Sequence, residues 1–477
     1  MASGSNPSSN PIQTQAGQQH VQWDTDLIKR YDKSGPRYTS YPTAVQFNEG
    51  FDASHYDAAR QASNLPGSPL SLYVHLPFCA HVCYYCACNK VITKRREKAQ
   101  PYLDRLYQEM AMRATGYDRS RPVEQLHWGG GTPTFIDHGQ MTELMSKLGE
   151  HFHLLTSDDR DYSIEIDPRE LHETTLAHLK SIGFNRVSLG VQDFDEKVQK
   201  AVNRVQPLSM TRATLEEARR LDFRSINIDL IYGLPFQSRD SFQRTLETVL
   251  ELSPDRLSVF NYAHLPERFM PQRRINAEDL PAPEEKLKML EDSIRLLTDA
   301  GYHYVGMDHF AKPEDSLSRA QAAGKLHRNF QGYTTHEDCD LVALGVSSIS
   351  QVGDAYFQNH ADIERYMSDI EQGILPLHRG VILTDEDNLR RAVIKQLICH
   401  FELDFQWVKD QFGVDAKQHF ADALANLVPY EQDGLVVMTE RGIQVTPKGG
   451  LLIRNICMQF DAYLNQPHHN VRYSKVI

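Results

Sequence analysis

Four of the seven cysteines in this chain lie within ten positions, in the stretch CAHVCYYCAC. Cys79, Cys83, Cys86 and Cys88 set the spacing C-x3-C-x2-C-x-C. Zinc sites usually pair two short cysteine knuckles that lie about 12 or more residues apart, and no second knuckle follows here. Thiolates of one loop can instead bind different irons of a cubane, which favours an iron–sulfur cluster.

The first three cysteines form a C-x3-C-x2-C core, which leaves one iron of a four-iron cluster open to an exogenous ligand. The alternative is a redox or structural cluster that uses all four thiols, including Cys88. A disulfide framework fits poorly, because a chain without a secretory signal is expected in a reducing compartment.

The composition argues against several classes of function. A net charge of −12, with one short basic run at 93–98, argues against sequence-independent nucleic-acid binding. No stretch approaches the roughly 20 apolar residues of a membrane span. The first 20 residues lack the basic start and apolar core of a secretory signal, and we expect them to form a disordered tail. We therefore expect a cytoplasmic protein that does not bind membranes or nucleic acid.

The cysteine loop follows the first of about seven predicted strands, LSLYVHL at 70–76. From about residue 70 to 310, short apolar runs alternate with longer amphipathic runs, which predicts strand–helix units around a parallel sheet. Six or seven such units suit an open or closed β/α barrel. Active sites of these barrels lie at the C-terminal ends of the strands, where the cysteine loop also falls.

Two other segments also carry residues that could contact a ligand. GGGTP at 129–133 follows the second predicted strand, and its glycines let the backbone approach a ligand closely. Asp229 is an acid inside the apolar run INIDLIYG. It needs a partner, which is either a ligand or an internal salt bridge or cap.

The C-x3-C-x2-C core and the glycine-rich segment at the next strand end resemble the signature of the radical S-adenosylmethionine (SAM) superfamily. The resemblance implies a [4Fe–4S] cluster held by Cys79, Cys83 and Cys86, with SAM on the fourth iron and Cys88 not a ligand. In that superfamily the cluster donates an electron that cleaves SAM to methionine and a 5′-deoxyadenosyl radical. The implied fold is α/β, a partial (open) β/α barrel of the radical SAM type.

Further segments resemble the family of oxygen-independent coproporphyrinogen III oxidases, and the match covers nearly everything from 22 to 477. They include SGPRYTSYPTA (34–44), LYVHLPFC (72–79), GVQDF (190–194), NIDLIYGLP (227–235), GMDHFA (306–311) and HRNFQGYTT (327–335). The resemblance implies oxidative decarboxylation of the ring A and B propionates of coproporphyrinogen III to vinyl groups, giving protoporphyrinogen IX in haem biosynthesis. The alternative is a radical SAM-like haem chaperone, but Cys88 and the RYTSYPT segment favour the oxidase.

The resemblance also implies site residues and two SAM molecules. Tyr73 is expected beside the cluster cysteines as a catalytic residue. Residues expected to contact the first SAM are Tyr73, Gly130, Glu165 and Ile349. Residues expected to contact the second SAM are Tyr85, Gly131, Thr132, Gln192, Arg204, Asp229 and Ala263. Candidates for binding the four carboxylates of the tetrapyrrole substrate, if they do not form structural salt bridges, are Arg30, Arg37 and Arg328.

We expect four regions along the chain: the tail at 1–20, an N-terminal segment at 21–68 that covers the barrel mouth, the barrel at 69–360, and a C-terminal domain at 361–477. The last region is predicted to be small, mostly helical and winged-helix-like. Because it shows no basic recognition helix, we favour packing or substrate cover over DNA binding. A reducing electron donor such as flavodoxin or ferredoxin, an unidentified electron acceptor and a monomeric state are also expected.

Overall fold

The computed structural model describes residues 21–64, 67–337 and 339–464, so the predicted tail at 1–20 lies outside the described residues. The strands are β1 (Leu70–Leu76), β2 (Phe78–Cys79), β3 (Val91–Ile92), β4 (Pro122–Gly130), β5 (His153–Leu154), β6 (Asp161–Ile166), β7 (Arg186–Gln192), β8 (Ser225–Tyr232), β9 (Arg256–Asn261), β10 (His303–Gly306), β11 (His309–Ala311), β12 (His327–Asn329), β13 (Gly332–Thr334), β14 (Asp340–Leu344), β15 (Ile349–Val352), β16 (Ala355–Asn359), β17 (Leu377–Ile382), β18 (Glu402–Asp404), β19 (Val436–Met438) and β20 (Gly442–Val445).

The helices are α1 (Thr25–Tyr31), α2 (Ala53–Asn64), α3 (Ala99–Ala114), α4 (His138–His151), α5 (Thr175–Ser181), α6 (Glu196–Ala201), α7 (Leu208–Arg220), α8 (Arg239–Leu252), α9 (Pro283–Asp299), α10 (Ser316–Ala322), α11 (Ile363–Glu371), α12 (Asp385–His400), α13 (Phe405–Phe412), α14 (Ala416–His419), α15 (Ala421–Gln432) and α16 (Ile453–Met458). None of the helices in the described part of the chain has the length and apolar character that a membrane crossing requires.

One large sheet positions the strand ends that carry the predicted site. Its order is β10-β11-β9-β8-β7-β6-β4-β1-β14-β15-β16-β17, with β5 beside β4. The seven neighbouring strands from β9 to β14 run parallel, as the alternating strand–helix pattern predicted. Among the described strands no pairing joins β10 to β17, so the barrel is open. The predicted fold class is confirmed.

The alternation of side chains along the strands separates the helix-facing surface from the interior of the barrel. In β8 the side chains of Ile226, Ile228 and Leu230 are buried, whereas Asn227 and Asp229 are only partly buried. Each fully buried aliphatic side chain of this kind contributes about 1.5–3 kcal/mol. The apolar positions therefore hold the sheet to its helices, and the polar positions are left for the inner face.

The sheet extends beyond the strands that the sequence predicted. β14 pairs with β1 in parallel, and β15, β16 and β17 continue the sheet with antiparallel pairings. Because β17 ends at Ile382, the main sheet continues past the expected division at residue 360. The helical region that follows starts with α12.

The two ends of the described chain pack together. The C-terminal region surrounds a small antiparallel sheet, β18-β20-β19, in which β19 and β20 form a hairpin. The ring of Tyr31 lies 4.6 Å from that of Tyr430, and the side-chain amide of Asn455 donates to the Tyr31 carbonyl over 2.8 Å. Arg454 donates to the carbonyl of Gly35. These contacts attach the N-terminal segment to the C-terminal helices.

Candidate functional site

The cysteine loop leaves the C-terminal end of β1 and is held by backbone hydrogen bonds. β2 pairs with β3, so Cys79 lies opposite Ile92, and the Thr93 N–H donates to the Cys79 carbonyl over 2.9 Å. The Cys86 N–H donates to the Cys83 carbonyl over 3.2 Å. All four residues of the cysteine cluster line one cavity of about 220 Å³, together with residues from the ends of β4, β6, β7 and β8.

Two of the thiols receive hydrogen bonds from neighbouring side chains. The Cys79 sulfur lies 3.6 Å from the Thr132 hydroxyl, and burial raises the pKa of the Cys79 thiol to about 12. The Cys83 sulfur lies 3.5 Å from a guanidinium nitrogen of Arg169 and 3.5 Å from one of Arg204. The Cys83 sulfur therefore faces two cationic donors.

The third and fourth cysteines of the loop have different environments. A hydrogen bond from the Cys88 thiol, followed by the charge of Lys90, lowers the pKa of Cys86 to about 6. The same hydrogen bond raises the pKa of Cys88, whose residue is exposed. Lys90 is fixed above the loop, since its ammonium donates to the carbonyls of Cys86 and Cys88 over 3.1 Å each. Cys86 is therefore the better thiolate of the two.

The glycines at the end of β4 allow a close approach of two backbone segments. Gly130 has φ +113°, and a Cβ atom there would lie 2.7 Å from the His75 ring. A Cβ atom on Gly131 would lie 2.7 Å from the Phe78 carbonyl oxygen. The glycines therefore let β4 pack against the chain that enters the cysteine loop, in addition to leaving room at the cavity.

A row of polar side chains crosses the sheet from β1 to β6. The Nε2 atom of His75 lies 3.1 Å from the Asn89 carbonyl, which can only accept, so Nδ1 accepts from the Tyr73 hydroxyl at 3.0 Å. The Tyr73 ring stacks on His127, with centroids 5.9 Å apart. The Nε2 atom of His127 lies 3.5 Å from a Glu165 oxygen. This row links Tyr73, the predicted catalytic residue, to Glu165, which is predicted to contact SAM.

Two of the acids that line the cavity, Glu165 and Asp229, have opposite pKa shifts. Burial opposes the charge of Glu165, but His127 and the Gly130 N–H, which donates over 3.2 Å, lower its pKa. Burial, with the nearby charge of Glu165, raises the pKa of Asp229. Asp229 accepts from Asn227 at 2.8 Å and Ser188 at 3.1 Å, and no cation of the described residues pairs with it. The salt-bridge alternative for Asp229 is therefore not what the described residues show.

Two polar side chains in the cavity have buried atoms without a partner. Arg204 donates to Asp167 at 3.1 Å and to the Gly190 carbonyl at 2.5 Å, but its Nε atom finds no partner among the described residues. The same is true of Oε1 of Gln192, whose backbone has φ +72° at a bulge in β7. A buried polar atom left unpaired costs about 1–3 kcal/mol, which a bound polar ligand offsets.

Most predicted cofactor contacts come together in this cavity. The lining residues among them are Tyr85, Gly130, Gly131, Thr132, Glu165, Gln192, Arg204 and Asp229. Tyr73 does not line the cavity, but its ring stacks on His127, which lies 3.5 Å from the lining residue Glu165. Ala263 is exposed just after β9, and Ile349 packs near Phe47 at the start of β15; neither lines this cavity.

The three arginines predicted to bind substrate have different surroundings, and none lines the cysteine cavity. Arg30 forms two 2.7 Å hydrogen bonds with Asp433, and its side chain is 60% exposed. Arg37 lies 3.1 Å from Asp308. Arg328 is only 5% exposed, yet its Nε and Nη1 atoms find no hydrogen-bond partner in the described part of the chain.

The sequence analysis missed several residues of the site. His127 stacks on Tyr73, Asp167 pairs with Arg204 and Arg169, and Asn227 and Ser188 hold Asp229. His127 and Asn227 could have been predicted from the sequence, since each is a polar residue at an inward position of a predicted strand. Asp167 directly follows β6, at the same end of the sheet as the cysteine loop.

The residues present fit a cluster with three protein ligands and an organic cofactor beside it. All four thiols of the loop line one cavity, two guanidinium groups lie at Cys83, and polar atoms without a partner among the described residues point to a polar ligand. This arrangement agrees with the expectation drawn from the cysteine spacing.

Comparisons with known proteins support the same reading. The radical SAM superfamily model matches residues 73–249, and the HemN C-terminal domain model matches residues 383–452. A curated relative from Pseudomonas aeruginosa, named oxygen-independent coproporphyrinogen III oxidase, is 58% identical over 460 residues, which are 96% of this chain and 99% of the relative. A relative of the same name from Escherichia coli is 51% identical over 459 residues, 96% of this chain and 99% of that protein.

A solved structure agrees over almost the whole chain. It is described as coproporphyrinogen III oxidase (HemN) from Escherichia coli, a radical SAM enzyme. The TM-score is 0.89 at 50% identity, and the match covers 93% of this chain and 100% of the other. Membership of the superfamily implies a [4Fe–4S] cluster and SAM as cofactors. The chain belongs to the family of oxygen-independent coproporphyrinogen III oxidases, within the radical SAM superfamily.

Proposed function

We propose that this protein converts coproporphyrinogen III to protoporphyrinogen IX without oxygen, turning the ring A and B propionates into vinyl groups with release of two CO2. The observation that carries the proposal is the cavity that unites the C-x3-C-x2-C cysteines with the glycine-rich end of β4 and the acids of β6 and β8. Relatives of more than 50% identity bear the name of this enzyme, and so the haem-chaperone alternative is not favoured.

When bound, a [4Fe–4S] cluster and SAM supply a 5′-deoxyadenosyl radical that can remove a hydrogen atom from an unactivated carbon. Cys79, Cys83 and Cys86 would hold the cluster. Arg169 and Arg204 donate toward the Cys83 sulfur and offset the negative charge of the ligands. The rest of the protein's contribution is to position the reacting groups and to exclude water.

We further propose two SAM molecules in the site, contacted by the two residue sets that the family resemblance implies. Glu165 is held as a carboxylate by His127 and the Gly130 N–H, which suits it to accept from ribose hydroxyl groups. The unpaired atoms of Gln192 and Arg204 support a second polar ligand beside the first. Asp229 adds an acceptor on the same side of the cavity.

For the substrate carboxylates we propose Arg37 and Arg328. Arg328 is buried, and two of its guanidinium nitrogens have no hydrogen-bond partner among the residues that the structure describes; Asp308 is the carboxylate that lies near Arg37. Burial, and then the charges of Arg328 and Arg37, lower the pKa of His309 to about 3. The neighbourhood is therefore positive, although the whole chain carries a net charge of −12. Arg30, like Arg37, has a carboxylate partner, but its two bonds to Asp433 are shorter, at 2.7 Å, and its side chain is 60% exposed.

The division of the chain into an N-terminal cover (21–68), a barrel (69–360) and a C-terminal domain (361–477) stays a proposal. The pair between Arg37 and Asp308 supports the covering role, since it brings the N-terminal segment to the turn between β10 and β11. A variant that starts at residue 45 should lose activity if the segment encloses the substrate. Full activity of that variant would remove the covering role.

For the electron donor we propose an acidic carrier such as flavodoxin or ferredoxin. The basic run at 93–98 is attached to the cluster loop, since the Thr93 N–H donates to the Cys79 carbonyl. Arg95 is exposed and Lys90 lies above the loop, so a negatively charged partner would find positive charge near the cluster. The monomeric state stays a prediction, as does an electron acceptor that is not identified.

The experiment that tests the proposed function is anaerobic. The cluster is reconstituted, dithionite, SAM and coproporphyrinogen III are added, and protoporphyrinogen IX and 5′-deoxyadenosine are measured. Both products are expected from the wild-type protein, and neither from Cys79→Ser. 5′-Deoxyadenosine without the vinyl product would place the chemistry on another substrate. Tight haem binding without SAM cleavage would support the chaperone.

A further inference from the structure

A second group of metal-binding side chains lies away from the cysteine loop. Glu124 lies near the start of β4, whereas the glycines of the cofactor cavity lie at its other end. His336 and Cys339 lie between β13 and β14. One ligand atom from each of these three residues lies within 4.8 Å of the other two.

The sheet brings these residues together from distant parts of the chain. Leu70 of β1 lies opposite both Val123 of β4 and Asp340 of β14, so the starts of the three strands are adjacent. Glu124 and Cys339 are the immediate neighbours of two of those residues. The group is thus fixed by the pairing of the main sheet on two of its sides.

The spacing of the atoms suits coordination better than direct hydrogen bonding. Nδ1 of His336 lies 3.4 Å from a Glu124 oxygen, which is longer than the 2.7–3.2 Å usual for N–H···O bonds. A tetrahedral zinc ion with bonds of about 2.0–2.3 Å holds its ligand atoms about 3.3–3.8 Å apart. The His336 and Glu124 atoms are therefore at the separation that one ion needs, and the Cys339 sulfur lies within 4.8 Å of both.

The chemistry of the donors points to zinc. One thiol, one imidazole and one carboxylate combine a soft, a borderline and a hard donor, which suits Zn²⁺ better than Mg²⁺ or Ca²⁺. The spacing H-x2-C between His336 and Cys339 is that of a short metal-binding knuckle. The Glu124 side chain is 37% exposed, so water can reach the ion and complete its coordination.

A carboxylate also lies behind the imidazole. Nε2 of His336 is 3.7 Å from an Asp161 oxygen, and Asp161 is itself held by Arg186 at 2.8 Å. Metal-binding histidines commonly turn their second ring nitrogen to a carboxylate, which fixes the ring. The alternative is a protonated His336 between Glu124 and Asp161: burial opposes the charge of the imidazole, but the contacts with Asp161 and Glu124 outweigh it and raise the pKa of His336.

We propose that Glu124, His336 and Cys339 bind one zinc ion, with Asp161 orienting the histidine. The site would tie the segment after β13 to β4, and so steady the β12–β13 hairpin that carries Arg328. The His336 N–H already donates to the Thr334 hydroxyl over 3.1 Å, and Gln125 of β4 donates to the same hydroxyl over 3.0 Å. The proposal does not depend on the reaction assigned to the cysteine cavity.

The test uses the holoenzyme with its iron–sulfur cluster intact, so that the loop cysteines are occupied by iron. The protein is dialysed against buffered micromolar free zinc, and zinc and iron are measured per chain. We expect one zinc per chain in the wild type, and at least a tenfold loss of zinc affinity in His336→Gln and Cys339→Ser with iron unchanged. Cys88→Ser, which removes a thiol near the cluster, should keep the zinc.

Two results would overturn the proposal. One is zinc binding that is absent in the wild type or unchanged in both variants, which would leave His336 as a protonated bridge between carboxylates. The other is an X-ray absorption spectrum at the zinc edge that shows several sulfur ligands instead of one, which would place the ion in the cysteine loop. Melting temperatures without zinc show whether the variants fold, and only the wild type and Cys88→Ser should be stabilised by adding zinc.

Discussion

Replacing Arg328 by alanine should weaken substrate binding without weakening the fold. Arg328 is 5% exposed as a residue, and two of its guanidinium nitrogens have no partner within the described residues. Its one strong described contact is the Tyr333 ring, 4.7 Å away, and such a cation–π contact contributes about 1–2 kcal/mol. Removing the buried donors that lack a described partner returns a desolvation cost of about 1–3 kcal/mol, which offsets this loss. We therefore expect a change in the free energy of unfolding of about 1 kcal/mol or less.

The effect on the substrate should be much larger. A hydrogen bond between a guanidinium and a carboxylate contributes about 1.5–3 kcal/mol, which corresponds to roughly a 10- to 150-fold fall in kcat/KM for coproporphyrinogen III. The assay is anaerobic turnover at varied substrate concentration, with chemical denaturation and iron content measured on the same samples. Arg30→Ala is the matched control, because its guanidinium is exposed and paired with Asp433. It should leave kcat/KM unchanged.

The opposite pattern would refute this reasoning. If Arg328→Ala unfolds several kcal/mol more easily while the remaining folded protein keeps its kcat/KM, Arg328 is a structural residue. Equal losses in Arg328→Ala and Arg30→Ala would mean that neither position is specific. Arg328→Lys separates charge from geometry, since lysine keeps the charge but cannot form the paired contact.

Three further predictions concern the loop, the glycines and a buried lysine. Cys88→Ser should keep the iron content of the wild type after reconstitution, whereas Cys86→Ser should lose it; equal iron in both would contradict the ligand assignment. Gly131→Ala should also lower the iron content, because its Cβ would lie 2.7 Å from a backbone oxygen, and Gly149→Ala, with 3.7 Å to its nearest neighbour, is the control. Burial and the charge of Arg391 lower the pKa of Lys395 to about 7, so the unfolded chain binds the extra proton between about pH 7 and the ordinary value of 10.5. The free energy of unfolding should therefore rise with pH across that window, by at most about 1.4 kcal/mol per pH unit. Denaturation curves of Lys395→Met at pH 7 to 10 should lose this dependence. If the variant keeps it, Lys395 is not its cause.

Strands and loops were predictable where the pattern was local. LSLYVHL and SINIDLIYG show their strand character in the order of apolar and polar residues, and both strands formed as predicted. The position of the cysteine loop followed from its place directly after a strand. β14 to β17 were missed because short strands with antiparallel partners lack the repeated strand–helix pattern that revealed the others.

The three arginines that were predicted to bind substrate show what a local sequence pattern cannot predict. In the sequence, Arg30, Arg37 and Arg328 are alike, each a cation close to aromatic residues. Their partners are far away in the chain: Asp433 for Arg30 and Asp308 for Arg37. Only the folded chain shows that Arg30 forms an ion pair at the surface. It also shows that Arg328 is buried, with two nitrogens that have no partner among the described residues.

The amino-acid sequence alone indicated a cluster site in the cysteine loop, the parallel strands and the end of the sheet at which the loop lies, because each depends on spacing within one segment. The tertiary structure decided which side chains meet across segments. The stack of Tyr73 on His127, the bonds of Arg169 and Arg204 to Cys83, and the meeting of Glu124 with His336 are of this second kind. Such contacts depend on strand order and register, which the spacing of residues along one strand does not contain.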